Sequence, residues 1–320
     1  MFDRFLYNNF ILTYHRIVEN KNQINSEINS ISVTTETFEG QIKLLKKKFN
    51  IVSIDEILKI DNKFKNNLAI TFDDGYKDNL TNAVPILEKY DVPATIYVTT
   101  RFLENKCDIW WYEIEKIIWK KNKLDFNFLN KKYYFDLKEE NNKKKCYKKL
   151  SLLFKNLSYL EQNKLLEQIT KTKERVQFKN KILDKSDLIE LSQKKNITIG
   201  SHTHTHANLA ILNDDECKKE LLLSKQILEN ILNKEIAHFA FPYGSKKDAG
   251  FRESKLVKDA GYQSAVTTQL GGKISNNVYL IPRVHIGENH EGWKLLIKLT
   301  WIYKIYYYIR FNFFNTKIFF

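Results

Sequence analysis

Leu68-Ala69-Ile70-Thr71-Phe72-Asp73-Asp74-Gly75-Tyr76 is the stretch whose reading decides the fold. Residues 68–72 form a short, mostly apolar run of the kind that makes a strand buried on both faces, as in parallel sheets. The run ends in two adjacent carboxylates and a glycine. Successive strand residues point to opposite sides, so Asp73 and Asp74 can take different roles. One can bind a cation while the other faces reacting atoms. Gly75 permits a turn that a side chain would obstruct. The plainer alternative is a turn in which an aspartate caps the next helix.

On either side the chain alternates strand and helix patterns. Phe10–His15 reads as a first strand, followed by a polar loop. A helix begins at Thr37-Phe38-Glu39, a short strand runs from Asn50 to Ile54, and Ser53 caps a helix from Ile54 to Leu58. Asn82–Tyr90 reads as helix and Pro93–Val98 as strand. Ser186 caps a helix through Gln193, and the strand Ile197–Gly200 follows. Further on come a long amphipathic helix (Glu216–Leu232), a strand (His238–Phe241), a helix (Lys255–Ala260) and strands at Gln263–Thr268 and Tyr279–Ile286. Such alternation predicts a parallel sheet of seven or eight strands, closed as a barrel or left open. The chemistry-bearing residues fall just beyond strand carboxyl ends, where α/β folds place their sites.

The strand at 197–200 leads into Ser201-His202-Thr203-His204-Thr205-His206. Three of the seven histidines lie within these residues, which weakens a reading as incidental surface histidines. His202 and His206 are spaced to meet on one side of a turn, with His204 pointing away. An aspartate and two histidines can hold one divalent ion and leave a position for water. The second aspartate is then free to handle protons.

Composition sets wider bounds. The 320 residues suffice for one large α/β domain, and 43% hydrophobic content supports a core. Four prolines and ten glycines argue against long linkers. The net charge of +14 favours anionic partners, but no nucleic-acid motif accompanies it. Cys107, Cys146 and Cys217 lack metal spacing and are odd in number, which fits a reducing compartment better than a disulfide framework. The opening residues lack the layout of a secretory signal, and no run qualifies as a spanning helix.

Together these motifs resemble the polysaccharide deacetylase family, carbohydrate esterases with chitooligosaccharide-deacetylase homology. The first family motif, T-F-D-D-G, is matched at Thr71–Gly75. The second, H-[S/T]-x-x-H, is matched at His202–His206. A variant of the third, R-x-x-P-Y, is similar to Phe239-Ala240-Phe241-Pro242-Tyr243-Gly244, and Leu12-Thr13-Tyr14-His15-Arg16 is similar to the start of many members. The resemblance covers residues 10–103 and 182–290.

The resemblance implies a distorted (β/α)7-type barrel and a divalent metal, usually zinc, with cobalt or nickel as alternatives. Carried over, Asp73 is the general base, and Asp74, His202 and His206 are the metal ligands. Pro242 and Tyr243 line the substrate, and the Tyr243 N–H holds the oxyanion. Two departures stand out. The third-motif arginine, which orients the catalytic aspartate in the family, is replaced by Ala240 or a neighbour. The fourth motif is not visible near Gly261–Gly272. Arg283, in Ile281-Pro282-Arg283-Val284-His285, is the candidate to reach Asp73 from another strand. His285 is the candidate general acid, with His290 as an alternative and His15 lining the cleft.

Residues 104–181 interrupt the pattern and read as a lysine-rich helical insertion between two barrel parts, 1–103 and 182–290, with one strand signal at Lys132-Tyr133-Tyr134-Phe135. Its Trp110, Trp111 and Tyr112 suit either stacking on sugar rings or anchoring of the insertion. The tail, 291–320, carries Trp293, Trp301, four tyrosines and five phenylalanines among lysines and an arginine, with no acidic residue from Trp293 onward. This pattern suits a segment lying in a membrane interface, or a basic helix covering the barrel. The expected activity is removal of N-acetyl groups from an amino sugar in a polysaccharide or lipid-linked glycan precursor, on the cytoplasmic face of the inner membrane. A non-catalytic sugar-binding member of the fold and a deformylase of a lipid-linked amino sugar are the alternatives.

Overall fold

The computed structural model describes residues 9–20, 31–60, 66–104, 109–172, 181–271, 277–300, 303, 305 and 306. The tail beyond Tyr306, Trp301, Gly272 and Cys107 lie outside the described residues. The chain opens with β1 (Asn9–Tyr14), then β2 (Arg16–Val18) and β3 (Ser32–Thr34). Helix α1 (Thr35–Lys48) is followed by β4 (Asn50–Ile51), α2 (Ile54–Lys59) and β5 (Asn67–Phe72). A π-helical turn (Asn79–Ala83) runs into α3 (Val84–Lys89) and β6 (Ala94–Val98). The insertion contributes α4 (Trp110–Lys120), β7 (Lys123–Phe128), β8 (Lys131–Asp136), α5 (Glu140–Lys155) and α6 (Tyr159–Thr170). The second part adds α7 (Lys185–Ser192), β9 (Ile197–Ser201), α8 (Asp214–Leu232), β10 (His238–Ala240), α9 (Phe251–Asp259), β11 (Ser264–Val266), β12 (Arg283–His285) and α10 (Gly292–Lys298).

Seven parallel strands run in the order β11-β10-β9-β6-β5-β1-β12, and β4 joins β5 at its start. A parallel bridge between Val266 and Ile281 brings the two ends of this sheet together, so the barrel is nearly closed. The fold is a distorted (β/α)7 barrel, with the insertion between neighbours β6 and β9.

Strand parity divides the core in two. Leu12, Leu68, Ile70, Phe72, Ile96 and Phe239 face the surrounding helices. Ile11, Ala69, Tyr97, Ala240, Val266 and Ile281 fill the barrel, with α2 contributing Ile54 and Ile57. Continuing the inward parity toward the carboxyl ends reaches Thr13, Thr71, Asp73 and Arg283. Gly200 has the same parity. A Cβ there would lie 2.4 Å from a ring atom of Tyr97, so glycine makes room for that ring.

Several boundaries differ from the sequence reading. The polar loop after the first strand contains β2 and β3, whose Ile17, Val18 and Val33 are buried. Asp184, not Ser186, caps α7: its side chain accepts from the Asp187 N–H. Ser53 caps α2 as expected, in a reciprocal box with Glu56.

The insertion is not purely helical. β7 alternates exposed and buried residues, with Leu124, Phe126 and Phe128 inward. It pairs with β8 as an antiparallel hairpin, turned at Leu129 and Asn130 with φ of 47° and 59°. A two-residue turn with both φ positive matches strand twist, but the Leu-Asn pair hides that signal among lysines. The insertion has its own core, which reaches the barrel at Tyr76 and Ile182.

Candidate active site and metal centre

Asp73 sits one residue past β5 and is 1% exposed. Its N–H is tied to the Tyr14 carbonyl at 3.1 Å, which fixes the strand exit. Arg283, also 1% exposed, crosses from β12 and grips the carboxylate with both ends of its guanidinium. Nη1 donates to Oδ1 at 2.8 Å and Nη2 to Oδ2 at 2.6 Å. Two further Arg283 donors are used: Nη1 to Thr71 Oγ1 at 2.9 Å and Nε to the Thr267 carbonyl at 3.0 Å. The Tyr97 ring lies 5.7 Å below the guanidinium. Thus Gly200 admits Tyr97, Tyr97 packs on Arg283, and Arg283 fixes Asp73. Burial pushes the Asp73 carboxyl up, but the neighbouring Arg283 charge, then His202, hold it below its ordinary value.

Asp74 takes the opposite side. It is buried at φ 76°, a conformation that aspartate tolerates better than most residues. Its Oδ1 lies 3.4 Å from His202 Nε2 and 3.3 Å from His206 Nε2, and the three ligand atoms lie within 4.8 Å of one another. That Oδ1 is buried with no hydrogen-bond partner among the described residues. A buried carboxylate oxygen facing two imidazole nitrogens is a donor set suited to a divalent cation, and zinc is compatible with it. His202 Nδ1 lies 2.8 Å from the Ala240 carbonyl, which can only accept. Nδ1 therefore carries a proton toward that carbonyl, and Nε2 is the nitrogen left facing Asp74. Burial opposes the charge on Asp74, but the two imidazoles that face it, His202 first and then His206, hold its carboxyl well below the ordinary range. Burial lowers the His206 imidazole, favouring the neutral form a cation requires.

The histidine loop is held from outside. Glu220, on α8, accepts from the N–H groups of His204 and Thr205 at 2.9 and 2.8 Å and from Thr205 Oγ1 at 2.8 Å. Thr203 and His206 have φ of 64° and 61°. For a β-branched threonine this is uncommon, and such strain persists where surroundings impose it. His204 turns away from the triad and pairs its Nδ1 with Thr100 Oγ1 at 2.9 Å.

Tyr243 follows buried Pro242 at φ 61°, and its ring packs edge-on to His206 at 5.0 Å. Gly244 has φ 54°, and a Cβ there would meet the Thr268 nitrogen at 2.7 Å, so this turn needs glycine. His15 and His285 lie on neighbouring strand ends with ring centres 5.7 Å apart. The His15 carbonyl accepts from Asn79 Nδ2 at 2.7 Å, which holds the turn that follows β1. His290 is elsewhere, with Nε2 3.0 Å from Lys298 Nζ on α10.

Trp110 and Trp111 do not present open faces to a sugar. They are 6% and 8% exposed; Trp110 stacks on Phe154 at 4.9 Å, and Trp111 donates to the Tyr76 hydroxyl at 3.2 Å. Both rings are packed into the core of the insertion, which leaves little of their faces open for stacking. Trp111 also lies 5.1 Å from the His206 ring, so the insertion packs against the Asp-His-His triad. The sequence reading missed Glu220, Thr71 and Thr13, whose hydroxyl donates to Asp73 Oδ2 at 3.4 Å. Thr71 shares strand parity with Asp73 and was legible there, whereas Glu220 meets the loop only through tertiary packing.

A (β/α)7 barrel with an Asp-His-His triad and a buried aspartate at its mouth defines the class. Residues 61–128 and 155–265 match the family model for polysaccharide deacetylase, and the chain belongs to that family. It is 24% identical over 288 residues to the putative polysaccharide deacetylase YxkH of Bacillus subtilis, covering 88% of this chain and 72% of that protein. It is 38% identical over 102 residues to a poly-beta-1,6-N-acetyl-D-glucosamine N-deacetylase of Staphylococcus aureus, a match spanning 28% of this chain and 35% of that protein. The fold is similar to that of the Streptococcus pyogenes deacetylase PplD, with a TM-score of 0.60 at 19% identity, covering 92% of this chain and 99% of that one. IcaB from Ammonifex degensii gives a TM-score of 0.57 at 12% identity, covering 92% and 97%.

Proposed function

We propose that the protein is a metal-dependent hydrolase that removes N-acetyl groups from an amino sugar in a polysaccharide or lipid-linked glycan precursor and releases acetate. The observation that carries this reading is the side-by-side division of the aspartates: Asp73 gripped by Arg283, Asp74 facing His202 and His206. Asp74, His202 and His206 would hold the ion, for which zinc is the first choice and cobalt or nickel the alternatives. When bound, such an ion supplies Lewis acidity toward water and the substrate carbonyl.

The chain's own groups supply the rest. Asp73 takes a proton from the attacking water, using a carboxylate lone pair that Arg283 leaves unused. Arg283 keeps the carboxylate ionised and oriented. The Tyr243 N–H donates to the oxyanion of the tetrahedral intermediate. An imidazole gives its proton to the leaving amine, which departs poorly as an anion. His285 is one candidate donor. His15 is the second, because its ring lies 5.7 Å from that of His285. The named activity of the Staphylococcus aureus relative supports a β-1,6-linked N-acetylglucosamine polymer as the first substrate to try. The exposed Trp293 and Ile297 of α10 support peripheral attachment to the inner face of a membrane.

Incubation with zinc, cobalt or nickel and a panel of N-acetylated and N-formylated aminosugars tests the reading. Acetate release supports it. Formate release alone assigns a deformylase. Metal and glycan binding without release of either acid assigns a sugar-binding module.

A further inference from the structure

Asp248 is 3% exposed, and its carboxylate gathers four donors from three parts of the chain. Oδ2 accepts from Lys155 Nζ at 2.7 Å, from the Ser245 N–H at 3.1 Å and from the Ser245 hydroxyl. Oδ1 accepts from Asn208 Nδ2 at 3.1 Å. Ser245 belongs to the loop carrying Tyr243, and Asn208 lies two residues beyond His206. Lys155 is the last residue of α5, in the insertion. Its ammonium also lies 5.2 Å from the centre of the Tyr243 ring, which packs on His206.

We propose that Lys155 is a positioning residue through which the insertion sets the Tyr243 loop against the His206 side of the metal centre. The proposal rests on the deacetylase reading. Its physical basis is convergence. The Lys155–Asp248 pair is largely shielded from water, with side chains 25% and 3% exposed, so its attraction is weakly screened. A single ammonium thereby fixes the two loops from which an oxyanion donor and a metal ligand project. Tyr243 has φ 61° and does not hold that conformation by local preference. A loop displacement of even about 1 Å at such a donor costs up to about a hundredfold in rate.

The test compares Lys155→Met, Lys155→Arg, Asp248→Asn and the Lys155→Met/Asp248→Asn double variant in the full chain. The substrate is an N-acetylated β-1,6-glucosamine oligomer, read by acetate release. Lys155→Met should lower kcat about tenfold or more, with KM changed by less than about twofold. Lys155→Arg should recover most of the loss. The double variant should lose no more than the worse single variant, because both act through one contact. A folded Lys155→Met protein with wild-type kcat overturns the proposal. So does a loss that tracks melting temperature and that arginine does not restore. If the wild type releases no acetate, the deacetylase reading fails, and zinc titration decides the positioning claim alone. Zinc affinity weakened in Lys155→Met then upholds it, and unchanged affinity overturns it.

Discussion

Arg283 on β12 holds Asp73 beyond β5 through two hydrogen bonds of 2.8 and 2.6 Å, in a pair with side chains 0% and 2% exposed. The third motif, on β10, has Ala240 where an arginine was expected, and the guanidinium arrives from the other edge of the barrel. Arg283→Lys keeps the charge but loses the fork that matches a carboxylate. We expect kcat to fall about tenfold to a hundredfold with zinc content unchanged. Arg283→Met leaves a buried carboxylate unpaired and should cost about 3–5 kcal/mol of stability. Chemical denaturation alongside kinetics separates the two variants, and a stable, fully active Arg283→Met protein would refute the role.

Zinc should raise thermal stability, because the folded chain offers three converging ligands that the unfolded chain scatters. At a hundred times Kd the gain is about 2.7 kcal/mol, and chelation should remove it. His206→Ala should abolish the zinc-dependent shift. Glu220→Gln should weaken zinc binding about tenfold by loosening the loop that Glu220 holds. Calorimetric titration checks both.

Lys298 is 2% exposed, and burial lowers its amine from the ordinary 10.5 to about 7. Burial, then the Lys298 charge, lowers His290 to about 4. A lysine with a depressed folded pKa binds fewer protons than its unfolded counterpart between these two values. Stability should therefore rise with pH from about 7 toward 10.5, by on the order of a few kcal/mol. Melting curves across that window should show the rise in the wild type and a flatter profile in Lys298→Met. A fall in wild-type stability over the same window would contradict the assignment.

His15→Ala and His285→Ala should separate the two candidate proton donors. Removal of the donor should cost about a hundredfold or more in kcat and abolish one limb of the pH profile. Removal of the other should leave that limb in place.

Trp293 is 67% exposed on α10, where Leu295 is fully buried against the barrel. Trp293→Ser should reduce co-sedimentation with anionic vesicles while leaving activity on a soluble oligomer unchanged. Undiminished sedimentation would count against the interface reading.

The barrel and the triad were legible because their signals are local. A buried strand, its parity and its terminal carboxylates occupy nine consecutive residues, and two histidines at fixed spacing follow another strand. One strand of the hairpin was legible at Lys132–Phe135, but its partner was hidden because the turn is Leu129-Asn130 rather than a glycine pair. Asp184 was passed over for Ser186 because both are good caps two residues apart, and only hydrogen bonding to the Asp187 N–H chooses between them. Glu220 and Asp248 carry no local mark. Glu220 meets its loop across 15 and 16 residues, and Asp248 has a local partner in Ser245 but gains Lys155 and Asn208 only in the folded chain.

The most direct test of the central claim is acetate release from an N-acetylated glucosamine oligomer by zinc-loaded wild type and Asp73→Asn, with metal content measured on both. The account predicts release by the wild type, and an Asp73→Asn protein that keeps one zinc per chain but loses about a thousandfold or more in kcat. No release by the loaded wild type, or wild-type turnover by Asp73→Asn, would contradict it.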